Sequence, residues 1–206
     1  MVIKYLALGD SYTIGTGTST PGRNFPSHLA RKLEEVTGKE VRVKNPAVNG
    51  YTTIDLIRSE LPELDRFQPD LVTILIGAND IVQGFDEADY RGRIRQIYAR
   101  LRGLGLPFGR VLSLSVPDFS IVPAAANFGA PAEIRSRIDG FNAVAAEEAS
   151  AHGFDFIDLA PLSRSGASRA GWISADGLHP GDAQYEAWSQ LIWQQAASRW
   201  TVQARE

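Results

Sequence analysis

The chain of 206 residues contains no cysteine. That excludes a disulfide framework, a thiolate metal site and a cysteine nucleophile, and leaves oxygen or nitrogen groups for any covalent chemistry. Net charge is also scarce: 21 basic against 24 acidic residues give −3. A surface built to read phosphates would be basic, so a nucleic-acid partner is not expected. No stretch approaches the ~20 apolar residues of a membrane helix. The start, Met1 to Asp10, has no basic region followed by a long apolar run, because Gly9-Asp10 breaks it. The expectation is a soluble, cytoplasmic protein, although a mature secreted form with a new start methionine would read the same way. Nucleotide fingerprints are incomplete. Gly15-Thr16-Gly17 would need a third glycine at position 20, which is Thr20, and no Gly-Lys-Ser/Thr follows. Histidines number only three. His28 and His152 fall on separate predicted helices without ligand spacing and read as structural. Asp176, His179 and Asp182 form the metal-site alternative. No metal or organic cofactor is expected.

What is present is a globular pattern. Hydrophobic residues make up 44% of the chain, too many for a disordered one. The length suits a single domain over residues 1–206. Short β-rich runs alternate with helical patterns. Strands are expected at Val2–Leu8, Val41–Val43, Asp70–Gly77, Arg110–Val116 and Phe154–Leu159. The third is almost continuously apolar, as a central parallel strand buried on both faces should be. Helices are expected at Pro26–Val36, around Ile54–Leu64 with a kink at Pro62, and at Glu87–Arg102, Ala132–Ala151 and Asp182–Arg199. Five strands alternating with helices predict a three-layer α/β domain with a parallel sheet. Sites in such sheets form at the carboxyl ends of the strands.

Four segments near strand ends carry unusual polar residues. Ser11 follows the first strand within Gly9-Asp10-Ser11-Tyr12. Taken alone it reads first as a helix N-cap; as a nucleophile it needs a base and a group to orient that base. His179 is the natural base, since imidazole titrates near neutral pH. Asp176 stands three residues earlier, a spacing that can bring its carboxylate onto the imidazole Nδ1–H. The competing reading makes Asp176 a turn former and His179 a surface residue. Gly50 and Asn79 can supply donors to an oxyanion together with the Ser11 N–H, although Asn49-Gly50 and Asn79-Asp80 are also common turn pairs. Asp80 is expected to orient Asn79 or to cap the next helix. The combination decides among these readings, because strand order gathers all four segments at one edge of one sheet.

Here the sequence resembles the SGNH hydrolases, the esterase and lipase family also called GDSL. Gly9-Asp10-Ser11 with Gly15, Gly50, Gly77-Ala78-Asn79-Asp80 and Asp176-Gly177-Leu178-His179-Pro180 match its four blocks in order. The resemblance implies Ser11 as nucleophile, His179 as base and Asp176 as its partner. It implies oxyanion donors from Ser11 N–H, Gly50 N–H and the Asn79 side chain. It also implies a flavodoxin-like sheet of order 2-1-3-4-5. Tyr12 departs from the name-giving motif, which has leucine there.

The reaction expected is hydrolysis of small-molecule acyl esters, with sugar-acetate, thioester and acyl-transfer chemistry as alternatives that use the same residues. A binding scaffold without activity is the non-enzymatic alternative. Trp172, near Asp176 in sequence, is the expected substrate contact among the four tryptophans; Trp188 falls on an apolar helix face and reads as core. Tyr12, Phe119 and Phe128 are further candidates, the last two on a 117–131 loop expected to wall the acyl side.

Overall fold

A computed structural model describes residues 2–202, so residues 1 and 203–206 of the expected 1–206 domain lie outside the described residues. The strands are Ile3–Gly9 (β1), Val41–Lys44 (β2), Leu71–Leu75 (β3), Val111–Leu114 (β4) and Asp155–Ile157 (β5). They form one parallel sheet in the order β2-β1-β3-β4-β5. Helices cover both faces of this three-layer α/β/α sandwich. Every side chain of β3 is buried, which explains its unbroken apolar character. Its one polar member, Thr73, is satisfied by the Tyr5 hydroxyl at 2.8 Å.

The main helices are Phe25–Thr37 (α2), Glu87–Arg102 (α6), Pro131–His152 (α7) and Asp182–Val202 (α9), numbered with the short helices below. Packing joins α2 to α9 and α6 to α7. Among the described residues no helix is long and apolar enough to cross a membrane.

The short elements bear on the site. Ser11–Ile14 (α1) follows β1 directly. The helix expected around Ile54–Leu64 is instead three pieces: Thr53–Asp55 (α3), a π-helical turn at Leu56–Glu60, and Glu63–Phe67 (α4). Ala78–Val82 (α5) follows β3, and Ala160–Ser165 (α8) follows β5 where no helix was expected. These helices have too few residues for periodicity to reveal.

Candidate active site

Because all five strands run the same way, their carboxyl ends share one edge of the sheet. Ser11 stands at the first position of α1, with Asp10 as the N-cap. The cap is therefore the aspartate: the Tyr12 N–H donates to the Asp10 carboxylate at 3.0 Å. Gly9 permits this abrupt turn. Its φ is +152°, and a Cβ there would lie 2.2 Å from the Leu75 carbonyl oxygen. Ser11 is only 7% exposed, and it lines a pocket of about 130 Å³ with Tyr12, Asn79, Phe119, Phe128 and His179.

His179 sits on a loop closed by an antiparallel bridge between Ile173 and Pro180. Asp176 divides its two oxygens between loop and ring. Oδ1 accepts from the Ser174 hydroxyl at 2.6 Å and from the N–H groups of Leu178 and His179 at 2.8 and 2.9 Å. Oδ2 accepts from His179 Nδ1 at 2.7 Å. Partial burial alone would raise this carboxyl. The hydrogen bonds from Ser174, His179 and the backbone overcome that and hold it well below the ordinary carboxylate range. A carboxylate only accepts, so Nδ1 carries the proton and Nε2 is left with its lone pair. Among the described residues no hydrogen bond joins Ser11 to His179, although both line the pocket. The imidazole rests edge-on against the buried Tyr12 ring, centroids 6.0 Å apart.

Asn79 lies in α5, where its amide donates to the Tyr51 carbonyl at 2.9 Å and approaches Asp10 Oδ2 at 3.4 Å. Asp80 has neither expected role. It is buried and accepts from the Thr53 N–H at 2.9 Å and from the Thr53 hydroxyl, tying α5 to α3. Gly50 is on the exposed turn after β2, with φ +83°, and is not part of the pocket lining. The structure ties its loop to the site in three places. Asn45 donates to the Thr13 carbonyl at 2.8 Å, the Thr16 hydroxyl donates to Asn49 at 2.5 Å, and Tyr51 accepts from Asn79.

Phe119 and Phe128 face the pocket and meet edge to face at 6.4 Å. Their loop is anchored by the buried Asp118, which takes Arg164 at 3.0 Å and Arg135 at 3.2 Å. Trp172 corrects its expectation. It is 1% exposed, absent from the pocket lining, and its indole N–H donates to the Ser163 carbonyl at 3.0 Å. It fills the space beneath α8, against Gly166, rather than touching a substrate. Asp182 is turned to Ser19 and Arg23, not to His179. Ala78, Val82 and Leu178 complete the pocket. Ala78 and Leu178 stand within the matched blocks but carried no expected role, and Val82, an ordinary apolar residue just after the third block, gave no signal.

Residues 7–187 match the model of the GDSL-like lipase/acylhydrolase family. The chain belongs to that family. It is accordingly an ester-hydrolysing enzyme of the serine type. Among similar proteins is the esterase TesA of Pseudomonas aeruginosa, 27% identical over 189 residues, covering 91% of this chain and 85% of that protein. A crystal structure of TesA superposes with a TM-score of 0.72 at 23% identity, covering 93% of this chain and 96% of the other. A family 3 carbohydrate esterase of Clostridium thermocellum shares the fold with a TM-score of 0.77 at 18% identity, covering 99% and 100% of the two chains.

Proposed function

We propose that this family member hydrolyses acyl esters through an acyl-enzyme on Ser11, within one catalytic domain spanning 1–206 and working in the cytoplasm. Ser11 Oγ attacks the acyl carbonyl carbon as His179 Nε2 takes its proton. The carbonyl oxygen becomes an oxyanion held by the Ser11 N–H, the Gly50 N–H and the Asn79 amide. Collapse breaks the bond to the alcohol, which leaves with the proton from His179. Water then attacks the acyl carbon as His179 takes its proton; collapse breaks the bond to Ser11 Oγ, which recovers the proton from His179, and the carboxylic acid leaves. The single observation carrying this reading is the division of labour at Asp176. One oxygen builds the loop and the other fixes the imidazole tautomer that a serine base requires.

The acyl side is read as the wall made by Val82, Phe119 and Phe128. A second cavity of about 110 Å³ lies beyond the same three residues, lined further by Ile81, Gly129 and Ile134 and by the charged Glu133 and Arg137. Short to medium acyl chains suit a first pocket of this size. The test is fluorophosphonate labelling with peptide mapping, followed by a panel of esters of rising chain length. Label on Ser11 and turnover that peaks at short to medium chains support the reading. Label elsewhere, or turnover by a Ser11→Ala variant, overturns it.

A further inference from the structure

Glu60 closes the π-helical turn, where the Leu61 N–H reaches back to the Leu56 carbonyl at 3.1 Å. Such turns insert one extra residue into a helix and re-aim the side chains at its end. Here the re-aimed residue is a carboxylic acid driven into the interior, 0% exposed. Glu60 Oε2 accepts from the Gly9 N–H at 2.9 Å, while Oε1 is buried with no partner among the described residues. The unpaired oxygen is a cost of burying the acid, set against the bond that satisfies the Gly9 N–H, a bond an apolar side chain could not make. Gly9 is the last residue of β1 and stands two before Ser11, at the sterically fixed point from which the nucleophile turn departs.

The ionisable group that faces Glu60 is Asp10, which is fully buried. Asp10 holds the Tyr12 N–H and approaches the Asn79 amide. Beyond Asp10 stands Asp80 on α5, compensated by Arg93 of α6 at 3.8 Å. Glu60 thus supports, through Gly9 and Asp10, both the nucleophile turn and the candidate oxyanion amide. Burial pushes its carboxyl up to about 8; the Gly9 N–H works against that and the Asp10 charge adds to it.

We propose that Glu60 is a positioning residue for the nucleophile turn: as the neutral acid it fixes the Gly9 amide, and on ionisation it depresses turnover. The proposal rests on Ser11 being the nucleophile. Ionisation places an unsolvated negative charge at the Gly9 amide, two residues before the nucleophile around which negative charge develops. At an effective dielectric near 20, that opposition is put at about a tenfold loss of rate.

The experiment follows the rate of fluorophosphonate labelling at Ser11 from about pH 6 to 10, with kcat and KM for a chromogenic ester, in the full chain. Wild type is expected to lose about tenfold on its alkaline limb. Glu60→Gln keeps a carbonyl for the Gly9 N–H and stays neutral. It should match wild type within about twofold near pH 7 and lack the limb. Glu60→Leu removes the acceptor and should lower kcat about tenfold with KM unchanged. An identical alkaline limb in Glu60→Gln, or none in wild type, overturns the proposal while Ser11 labelling keeps the esterase reading intact. If Glu60→Leu does not fold, the glutamine comparison alone decides. No label on Ser11 in wild type defeats both readings.

Discussion

Asp176→Asn separates control of the imidazole tautomer from the architecture of the loop. In the native loop Oδ1 takes three donors, from Ser174, Leu178 and His179, and Oδ2 takes only the ring. Asparagine keeps one carbonyl oxygen, enough for the three structural donors. Its NH₂ then faces His179 Nδ1, and two donors cannot share that contact. The ring responds by carrying its proton on Nε2, the nitrogen needed to accept from Ser11. The fold should survive, because the Asp176 side chain is 43% exposed and its backbone bonds persist. The chemistry should not: kcat is expected to fall ~10³–10⁴-fold, about 4–5.5 kcal/mol of barrier, with KM within about threefold. Initial rates on a chromogenic ester, with circular dichroism as the check on folding, make the measurement. A folded variant that loses less than about tenfold in kcat would refute the tautomer argument.

Ser11→Ala should lower kcat by at least ~10³-fold without unfolding, read by ester turnover and loss of fluorophosphonate label. Asn79→Ala should cost about 10²–10³ in kcat as a lost oxyanion donor, and a change confined to KM would assign the amide to ground-state binding. Phe128, 39% exposed, stands between the two cavities. Phe128→Ala should therefore shift preference to longer acyl chains, by up to about fourfold in kcat/KM for each extra methylene buried, read from the ester panel. The pH dependence of stability gives an independent readout of Glu60. Its folded carboxyl, raised from 4.5 to about 8, holds a proton that the unfolded chain releases earlier. The native state therefore binds more protons across that window, and its stability falls as pH rises through it. Burial also raises Asp10, to about 7, and Asp80, so they contribute slope of the same sign. Glu60→Gln should remove the Glu60 share, so the variant's Tm gains on wild type between about pH 5 and 8; parallel Tm curves would contradict it.

The central strands were legible because burial on both faces imposes a local signal, and β3 is buried at every position. The order of the sheet was not local information; it came from the family resemblance. The pairing of Asp176 with His179 was legible for a similar reason, since a three-residue turn needs no knowledge of the rest of the fold. Ser11 and Asn79 depended on more. Each alone fits a cap or turn, and only parallel strand order brings both to one pocket. Trp172 failed as an inference because nearness in sequence says nothing about which way a side chain points. Eight residues before Pro180, its indole turns inward to Ser163.

Glu60 was illegible for a deeper reason. In an ideal helix over Ile54–Leu64, Glu60 lies three residues after Ile57 and four before Leu64, at the rim of the apolar face, where a long acidic side chain reads as reaching to solvent. The π-helical turn adds a residue and rotates everything after it, so the periodicity that locates the helix misplaces its end. Asp80 was misread through a related blindness. Its partner, Thr53, lies 27 residues away on another element, and no local spacing announces such a bond. Glu60 therefore belongs to a layer of the site that motif spacing cannot reach, and Asp80, though inside the third block, takes its partner from that layer. The blocks hold the groups expected to meet the substrate, whereas Glu60 is specified by how helices pack under the sheet edge. Variation in that deeper layer can retune pH response while every block residue stays in place, which is why the comparison of Glu60→Gln with wild type tests something the blocks do not contain.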